Sequence, residues 1–389
     1  IIDDKRNTNN PIDNVLYAEA NSSEDVNSVY VKVNFLNNGF ELLTDSSDIN
    51  ASGRSYIYVA FAANPSTTTP SLANSFAPKL YNGSGASQSI TTGFAPDFTW
   101  IKSRSNSTSH ELHDSVRGEP SRISSDSTAA ASTTYNGFVS LTSNGFSLDG
   151  AGGGGEVNTS GRTYVAWNWK SGGLASINTA GTTTSIVSVN EAAGFSIVQY
   201  DGNSSAGATV GHGLSSAPET VWIKCLTNSS TNWINFFELL GNSDYLTLNL
   251  NNDVDTSTNW FYSNATNFTL NQTFGNANTS GRTYIAYCFK SITNFSKIGS
   301  YSGTGSSNSI TGLGFQPSWV MIKCSTANED WAIFDASRGA NTFLVANSPG
   351  AEQAFSGFSF DSDGFTVPAS SGMTNGSGQT YIYTAFKIN

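Results

Sequence analysis

Asn158-Thr-Ser-Gly-Arg-Thr-Tyr-Val-Ala-Trp-Asn-Trp169 decides the reading, because the chain writes it four times. The other copies are Asn50-Ala-Ser-Gly-Arg-Ser-Tyr-Ile-Tyr-Val-Ala-Phe61, Asn278-Thr-Ser-Gly-Arg-Thr-Tyr-Ile-Ala-Tyr-Cys-Phe289 and Asn375-Gly-Ser-Gly-Gln-Thr-Tyr-Ile-Tyr-Thr-Ala-Phe386. Their glycines Gly53, Gly161, Gly281 and Gly378 recur at intervals of roughly 100–120 residues, the period of a small domain. Asn-x-Ser-Gly is turn chemistry, with glycine available for positive φ. An alternating strand follows. Val165, Trp167 and Trp169 share one face, and Tyr164 and Ala166 share the other. Both faces are largely apolar, which predicts a central strand covered on both sides. Lys170, Lys290 and Lys387 mark its return to water.

Outward from the signature, three more blocks recur. About 60 residues earlier lie Gly93-Phe-Ala-Pro96 with Trp100-Ile101-Lys102, Pro218 with Trp222-Ile223-Lys224, and Gly314-Phe-Gln-Pro317 with Ile322-Lys323. Ahead of each stands a strand end running into a glycine turn: Tyr81-Asn-Gly-Ser, Tyr200-Asp-Gly-Asn and Tyr301-Ser-Gly-Thr. Mid-unit come Asp114-Ser-Val-Arg-Gly118, Glu238-Leu-Leu-Gly241 and Asp335-Ala-Ser-Arg-Gly339. Hairpin signals sit at Asn144-Gly-Phe146, Asn267-Phe268 and Asp363-Gly-Phe365. The first unit has only the later blocks, Asn38-Gly-Phe40 and the Gly53 signature, with Asp4-Lys5-Arg6 standing where Asp114 to Arg117 stands. Half a sandwich cannot bury its core. The expectation is therefore a C-terminal half-domain over 1–63, part of a longer polypeptide, then β-sandwich repeats over 64–172, 173–292 and 293–389. Segments 62–78, 171–193 and 291–297 read as Ser/Thr/Asn-rich linkers. No window holds a sustained helical period. The fold class expected is all-β: tandem antiparallel, jelly-roll-like sandwiches with almost no helix.

Composition agrees with many short strands. Of the 389 residues only 12% are charged and 12% are aromatic, with 37 glycines; polar disordered chains lack such aromatics. A net charge of −11 with 18 Lys and Arg excludes nucleic acid as a partner, since phosphate contacts need a basic stripe. It also disfavours anionic membranes. No apolar run approaches the length of a membrane-spanning helix, so no membrane insertion is expected. Cys225, Cys288 and Cys324 are odd in number. They read as buried fillers rather than a disulfide framework, with a Cys225–Cys288 bridge as the lesser alternative.

Taken together, Asn-x-Ser-Gly-x-Thr-Tyr-x-Ala-Tyr/Trp-x-Phe/Trp-Lys, Pro-x₄-Ile-Lys, Asp-x-x-Arg-Gly and Tyr56-Ile-Tyr-Val-Ala-Phe-Ala62-x-x-Pro65 resemble an uncharacterised repeat. That repeat occurs in tail-fibre-like and other structural proteins of marine bacteriophages, including those infecting cyanobacteria. The resemblance covers essentially the whole chain. It implies a lectin-like jelly roll of the concanavalin or laminin-G type, a virion component, and a host-surface carbohydrate as ligand. It supplies no catalytic residues. The second complete unit, with Glu238-Leu-Leu-Gly241, lacks the Asp and Arg of the mid-unit block.

Each residue cluster has a plain reading beside its chemical one. His110-Glu-Leu-His113-Asp114 holds two histidines three apart. A strand would point them to opposite faces, so no metal site is assigned. Asp361 with Asp363, or Glu111 with Asp114, could form a hydrolytic pair, but neither pair recurs, and no catalytic residue is assigned. Asp361-Ser-Asp363-Gly reads as a hairpin turn before a calcium loop. Asp114 with Arg117 and Asp335 with Arg338 read first as ion pairs at turns; second, with Trp331, they are the candidate ligand-binding residues. Trp100, Trp167, Trp169 and Trp222 read as core; Trp233 and Trp331, nearer loops, read first as core and second as rings that could stack on a sugar. Gly150 to Gly155 reads as a flexible loop tip. No cofactor is expected. The function expected is non-enzymatic: a virion tail fibre or appendage attaching to a host-surface glycan. The alternative is a capsid, head or tail decoration with a purely structural role. Partners would be other virion proteins and further copies of the chain in a homo-oligomer, with the chain at the surface of the virion.

Overall fold

The computed structural model describes residues 1–3, 12–18, 20–36, 39–60, 72, 74–118, 121–134, 137–150, 156–256, 261–270, 276–369 and 371–388. The readings made of Asp4 to Arg6, Asn38, Phe61 to Pro65 and the loop 151–155 fall outside these residues. Strands account for 41% of the chain and helix for 2%. Among the described residues the helix is one turn at Gly372–Asn375 and a 3₁₀ turn at Glu238–Leu240. The fold is all-β and antiparallel, built of paired sheets. The chain divides into two compact units, 1–67 and 68–389.

Residues 68–389 hold three lobes of one plan. The signature strand of each is Thr163–Trp169, Thr283–Phe289 or Thr380–Phe386. It lies between the lobe's first strand (Phe76–Asn82, Phe195–Asp201 or Ser296–Ser302) and its Ile-Lys strand (Phe98–Ser103, Thr220–Cys225 or Trp319–Cys324). A fourth strand, Glu111–Asp114, Ile234–Phe237 or Ala332–Asp335, pairs beyond the Ile-Lys strand. The second lobe adds Ser176–Asn178 and Ser185–Asn190 at the other edge, so part of what reads as a linker over 171–193 is sheet. A small three-stranded sheet faces each main sheet. Its central strand is Gly145–Leu148, Asn267–Leu270 or Gly364–Val367, each closing the hairpin expected there.

Period-2 alternation sends the two faces of each main sheet to different places. Tyr164 and Ala166 turn inward with Ile101, Phe138 and Phe146 to form the first lobe's own sandwich core. Tyr284 and Ala286 do the same in the second lobe, and Tyr381 and Tyr383 in the third. Val165, Trp167 and Trp169 face the other way, into one cluster shared by all three lobes. There they meet Phe195, Trp222 and Phe289 from the second lobe and Trp319, Ile382 and Phe386 from the third. The central strand is covered on both sides, and its second cover is the sister lobes. A fully buried aromatic removes about 150–250 Å² from water, worth roughly 4–6 kcal/mol at 25 cal/mol/Å². Seven tryptophans lie in this hub, so it outweighs any single lobe's sandwich core. The lobes are thus fused around one core rather than strung as independent beads.

In residues 1–67, Val33–Leu36 pairs with Gly39–Leu42. A small cluster of Val15, Val31 and Val33 with Phe40 and Leu42 packs beneath the hairpin.

Candidate functional site

The contacts that close the three lobes on one another form the most developed polar site in the structure. Each is repeated around a cycle. The backbone N–H of Ala131 in the first lobe donates to Leu226 O of the second at 2.8 Å. Val254 of the second donates to Ser325 O of the third at 3.0 Å, and Glu352 of the third donates back to Arg104 O of the first at 2.8 Å. A second cycle runs the other way. Trp233 Nε1 donates to Ser124 O at 2.8 Å, and Trp331 Nε1 to Thr247 O at 3.1 Å. His110 stands in the same slot of the first lobe, and its Nε2 donates to Val345 O at 2.9 Å. His110 Nδ1 in turn accepts Trp100 Nε1 at 2.8 Å, so the ring is the neutral Nε2–H tautomer. Burial pushes this imidazole down to about 3, helped by the nearby Lys102 charge. Three cyclic steps return to the start, so this arrangement is closed.

The mid-unit Asp–Arg pairs belong to the same closure. Asp114 and Arg117 are bound at 2.5 Å with both side chains buried. Asp114 Oδ1 also accepts the backbone N–H groups of Val116 and Arg117, and Arg117 reaches Leu112 O at 2.8 Å. Tyr287 of the second lobe donates its hydroxyl to Asp114 Oδ2 at 2.6 Å. Burial opposes the Arg117 charge, but Asp114 and Tyr287 outweigh it and raise its pKa. In the third lobe Arg338 pairs with Asp335, and Trp167 of the first lobe donates to Asp335 Oδ2 at 3.0 Å. Arg338 extends to Glu352 at 3.2 Å, and Glu352 forms a two-bond fork with Arg104, the strong geometry for this pair. At the remaining junction Phe237 replaces Asp and packs on Trp331. Thr384 there takes the slot of Trp167 and Tyr287.

The candidate ligand residues Asp114, Arg117, Trp331, Asp335 and Arg338 are therefore corrected in role. The structure does not gather all five into one site. It buries each at a lobe junction, where Trp331 is 1% and Asp335 0% exposed, leaving no surface for a sugar. Trp233 is buried likewise. His110 faces the hub while His113 stacks on Phe138 inside the first sandwich, which separates the two histidines as their spacing predicts. Asp363 accepts the backbone N–H groups of Gly312 and Gly314, and Asp361 binds Ser359 and Thr366. These carboxylates serve turns. The three cysteines are buried and free. Among the described residues no group of His, Cys, Asp or Glu is placed to hold a metal, and no helix is long and apolar enough to cross a membrane.

Sequence reasoning missed two sets of junction residues. Lys102, Lys224 and Lys323, the lysines of the Ile-Lys strands, are buried. Lys224 donates to Thr128 O of the first lobe at 2.9 Å and Lys323 to Asn251 O of the second at 3.2 Å, whereas Lys102 binds carbonyls of its own lobe. Burial pulls each ammonium down to about 8. Their signal was present: a lysine inside an apolar strand, three times over. Asp126, Asn249 and Asn347 accept the backbone N–H of His110, Trp233 and Trp331, in each case 16 residues earlier; that constant offset was their only mark.

A hollow of about 80 Å³ in the second lobe beside Glu219, Phe237 and Asn242 has room for a few waters. Another, of about 480 Å³ in residues 1–67, is an open groove lined by Val29, Tyr30, Leu43 and Asp45. A family model described as a domain of unknown function (DUF7483) matches residues 1–65 and 71–389. No curated protein and no solved structure matches.

Proposed function

We propose, from the premise that this chain belongs to the DUF7483 family, that it is a non-enzymatic structural protein of a virus particle. On this reading residues 68–389 are a preassembled three-lobed block, a decoration or appendage module. The observation that carries the reading is where the aromatic side chains go. In residues 68–389 the hub and sandwich cores take up the large aromatics, and among the described ones Tyr262 alone is exposed, at 39%. Sugar-binding surfaces present aromatic faces; this block keeps its aromatics for cohesion. The repeat's resemblance to phage structural proteins supplies the particle. Its junctions give the polar residues a cohesive use, so no role in catalysis is needed to account for their burial.

A second reading, host-surface attachment through a glycan, draws on the open groove beside Tyr30 and Asp45 in residues 1–67. Its size falls within the range of small-ligand sites. The test is to find the chain in purified particles by mass spectrometry and then to locate it by cryo-EM. Lobes packed on the capsid or tail wall support the structural reading. Projection from a tail tip, with glycan binding that Tyr30→Ala removes, replaces it with attachment. Absence from particles overturns both.

A further inference from the structure

The sandwich core of the first lobe departs from the repeat at one place. In the other lobes the fourth strand turns Ile234 and Phe236, or Ala332 and Phe334, into that core. Phe236 stacks on Phe261 at 3.7 Å, and Phe334 on Phe358 at 4.0 Å. The first lobe puts Glu111 and His113 in these slots, each 1% exposed, and His113 stacks on Phe138 at 3.8 Å. Arg122 stands where the sisters have Tyr245 and Phe343, and Glu156 where they have Asn276 and Met373. The sisters have no charged side chain at any of these positions.

The charges do not balance. Arg122 Nη1 binds Glu111 Oε1. Glu156 reaches in from the rim, and its buried Oε2 lies 3.9 Å from the same Nη1 with no hydrogen-bond partner. One guanidinium therefore faces two carboxylates. His113 Nε2 lies 3.9 Å from Glu111, but burial, with Arg117 and Arg122 beside the ring, holds its pKa well below 6.5 and the ring neutral. Burial, with Tyr164 and Glu111 nearby, likewise keeps the Tyr81 hydroxyl protonated. Lys102 feels Glu156, but it donates to the carbonyls of Ser103 and Asn106. A carboxyl in excess inside a low-dielectric core is relieved by taking up a proton. Burial pushes Glu111 from 4.5 up to about 8; Arg122 pulls it down and Glu156 pushes it up.

Glu156 also leads straight into the signature turn. Tyr81 stacks on Tyr164 at 5.0 Å and donates to Val157 O at 2.7 Å. Asn158 accepts the N–H of Ser84 at its side chain and that of Gly85 at its carbonyl. The sister turns are held alike, by Asn203 and Ser204 on Asn278 and by Thr304 and Gly305 on Asn375. We propose that Glu111 and Glu156 form a proton-binding site beside Arg122, and that loss of its proton loosens the signature turn of the first lobe alone. Ionised, the two carboxylates repel, and Glu156 draws residues 157 and 158 away from Tyr81 and Ser84. The site goes beyond the structural reading above and does not depend on it.

The test uses the whole 389-residue chain. Protection of the Ser84 and Gly85 amides against hydrogen exchange is followed with pH, with Asn203, Ser204, Thr304 and Gly305 as references in the same molecule. The folded carboxyl has the higher pKa, so the proton's contribution is complete below pH 4.5 and is lost as pH rises through about 8. Protection of Ser84 and Gly85 relative to the references is expected to fall by about ten-fold or more between about pH 6 and 8 and to level off above. Glu111→Gln keeps the shape of the uncharged carboxyl and flattens the profile. Glu156→Gln shortens the fall, because Glu111 then faces Arg122 without a second carboxylate. Infrared spectra of the wild type, which need no variant, should show a carboxylic-acid carbonyl band that fades as pH passes about 8. The proposal is overturned if the turns of all three lobes lose protection together, or if either variant keeps the wild-type profile. A wild type with no such band at neutral pH overturns it as well.

Discussion

Asp335 holds Arg338 and the indole of Trp167 at once, inside a junction with no exposed surface. Taking away Asp335 leaves Arg338 with Glu352 as its one remaining carboxylate partner and the Trp167 N–H without its acceptor, which costs about 3 kcal/mol. Asp335→Ala is therefore expected to destabilise the chain by that amount in denaturant unfolding. The second lobe shows an apolar solution to the same junction, with Phe237 in the aspartate's place. Asp335→Phe with Arg338→Leu should accordingly cost less than either single loss, about 2 kcal/mol, mostly for the Trp167 N–H left without its acceptor. A double variant no better than Asp335→Ala would refute this account. His110 gives the residue scale its pH dependence. Its imidazole titrates at 6.5 when free and at about 3 in the fold. The folded value is the lower one, so the neutral ring's contribution is complete above pH 6.5 and drains away as pH falls toward 3. His110→Gln can keep both hydrogen bonds without titrating. The stability difference between wild type and this variant should widen by up to about 4 kcal/mol over that window; a difference independent of pH would sink the assignment. Little of this was legible in the sequence. Asp-x-x-Arg-Gly announces an ion pair at a turn, but its partners Trp167 and Tyr287 sit in other repeats, and spacing along the chain carries no sign of them.

At the scale of the element the sequence was far more legible, because strands and turns are set by neighbours in the chain. The signature strand, its two apolar faces and the Pro-x₄-Ile-Lys strand all fall where alternation puts them. The misreading of 171–193 as a linker has a physical cause: edge strands such as Ser176–Asn178 are exposed on both sides of the pleat, so burial writes no pattern into them. The glycine of Tyr-x-Gly was read as a turn former, whereas its necessity is steric. A Cβ on Gly83 would collide with the Thr159 carbonyl, and one on Gly202 or Gly303 with Thr279 or Gly376. Here the first strand passes too close to the signature turn for any side chain. Gly83→Ala should force the Tyr81–Tyr164 stack apart and cost about 3 kcal/mol. Gly161→Ala offers the contrast: open space surrounds it, but its φ of +80° strains any other residue, for about 1 kcal/mol. Thermal unfolding of the two variants, ranked in that order, checks the distinction.

At the scale of the whole molecule, the question is what a hub shared by three repeats does to cooperativity. Sequence could say that both faces of Thr163–Trp169 needed cover; it could not say that the second cover came from two sister strands more than a hundred residues away. Independent sandwiches would unfold one by one, and damage in one would stay there. A common core forbids that separation. Trp169 packs on Phe76 and Phe98 of its own lobe, on Phe289 of the second, and on Trp319 and Phe386 of the third. Trp169→Ala opens a cavity at this meeting point and should cost about 3–5 kcal/mol. The loss is expected in all three lobes together. Native-state hydrogen exchange should show the slowest amides of Phe195–Asp201, Thr283–Phe289 and Thr380–Phe386 accelerating by the same factor as those of Thr163–Trp169, since all would open through one cooperative unit. If acceleration stops at the edge of the first lobe, the lobes are energetically separate. The closed cycle of backbone bonds from Ala131 to Leu226, Val254 to Ser325 and Glu352 to Arg104 would then be contact without coupling. If it spreads, one chain does by covalent linkage what a symmetric trimer does by association, and its cohesion is independent of concentration. That property suits the particle component proposed above.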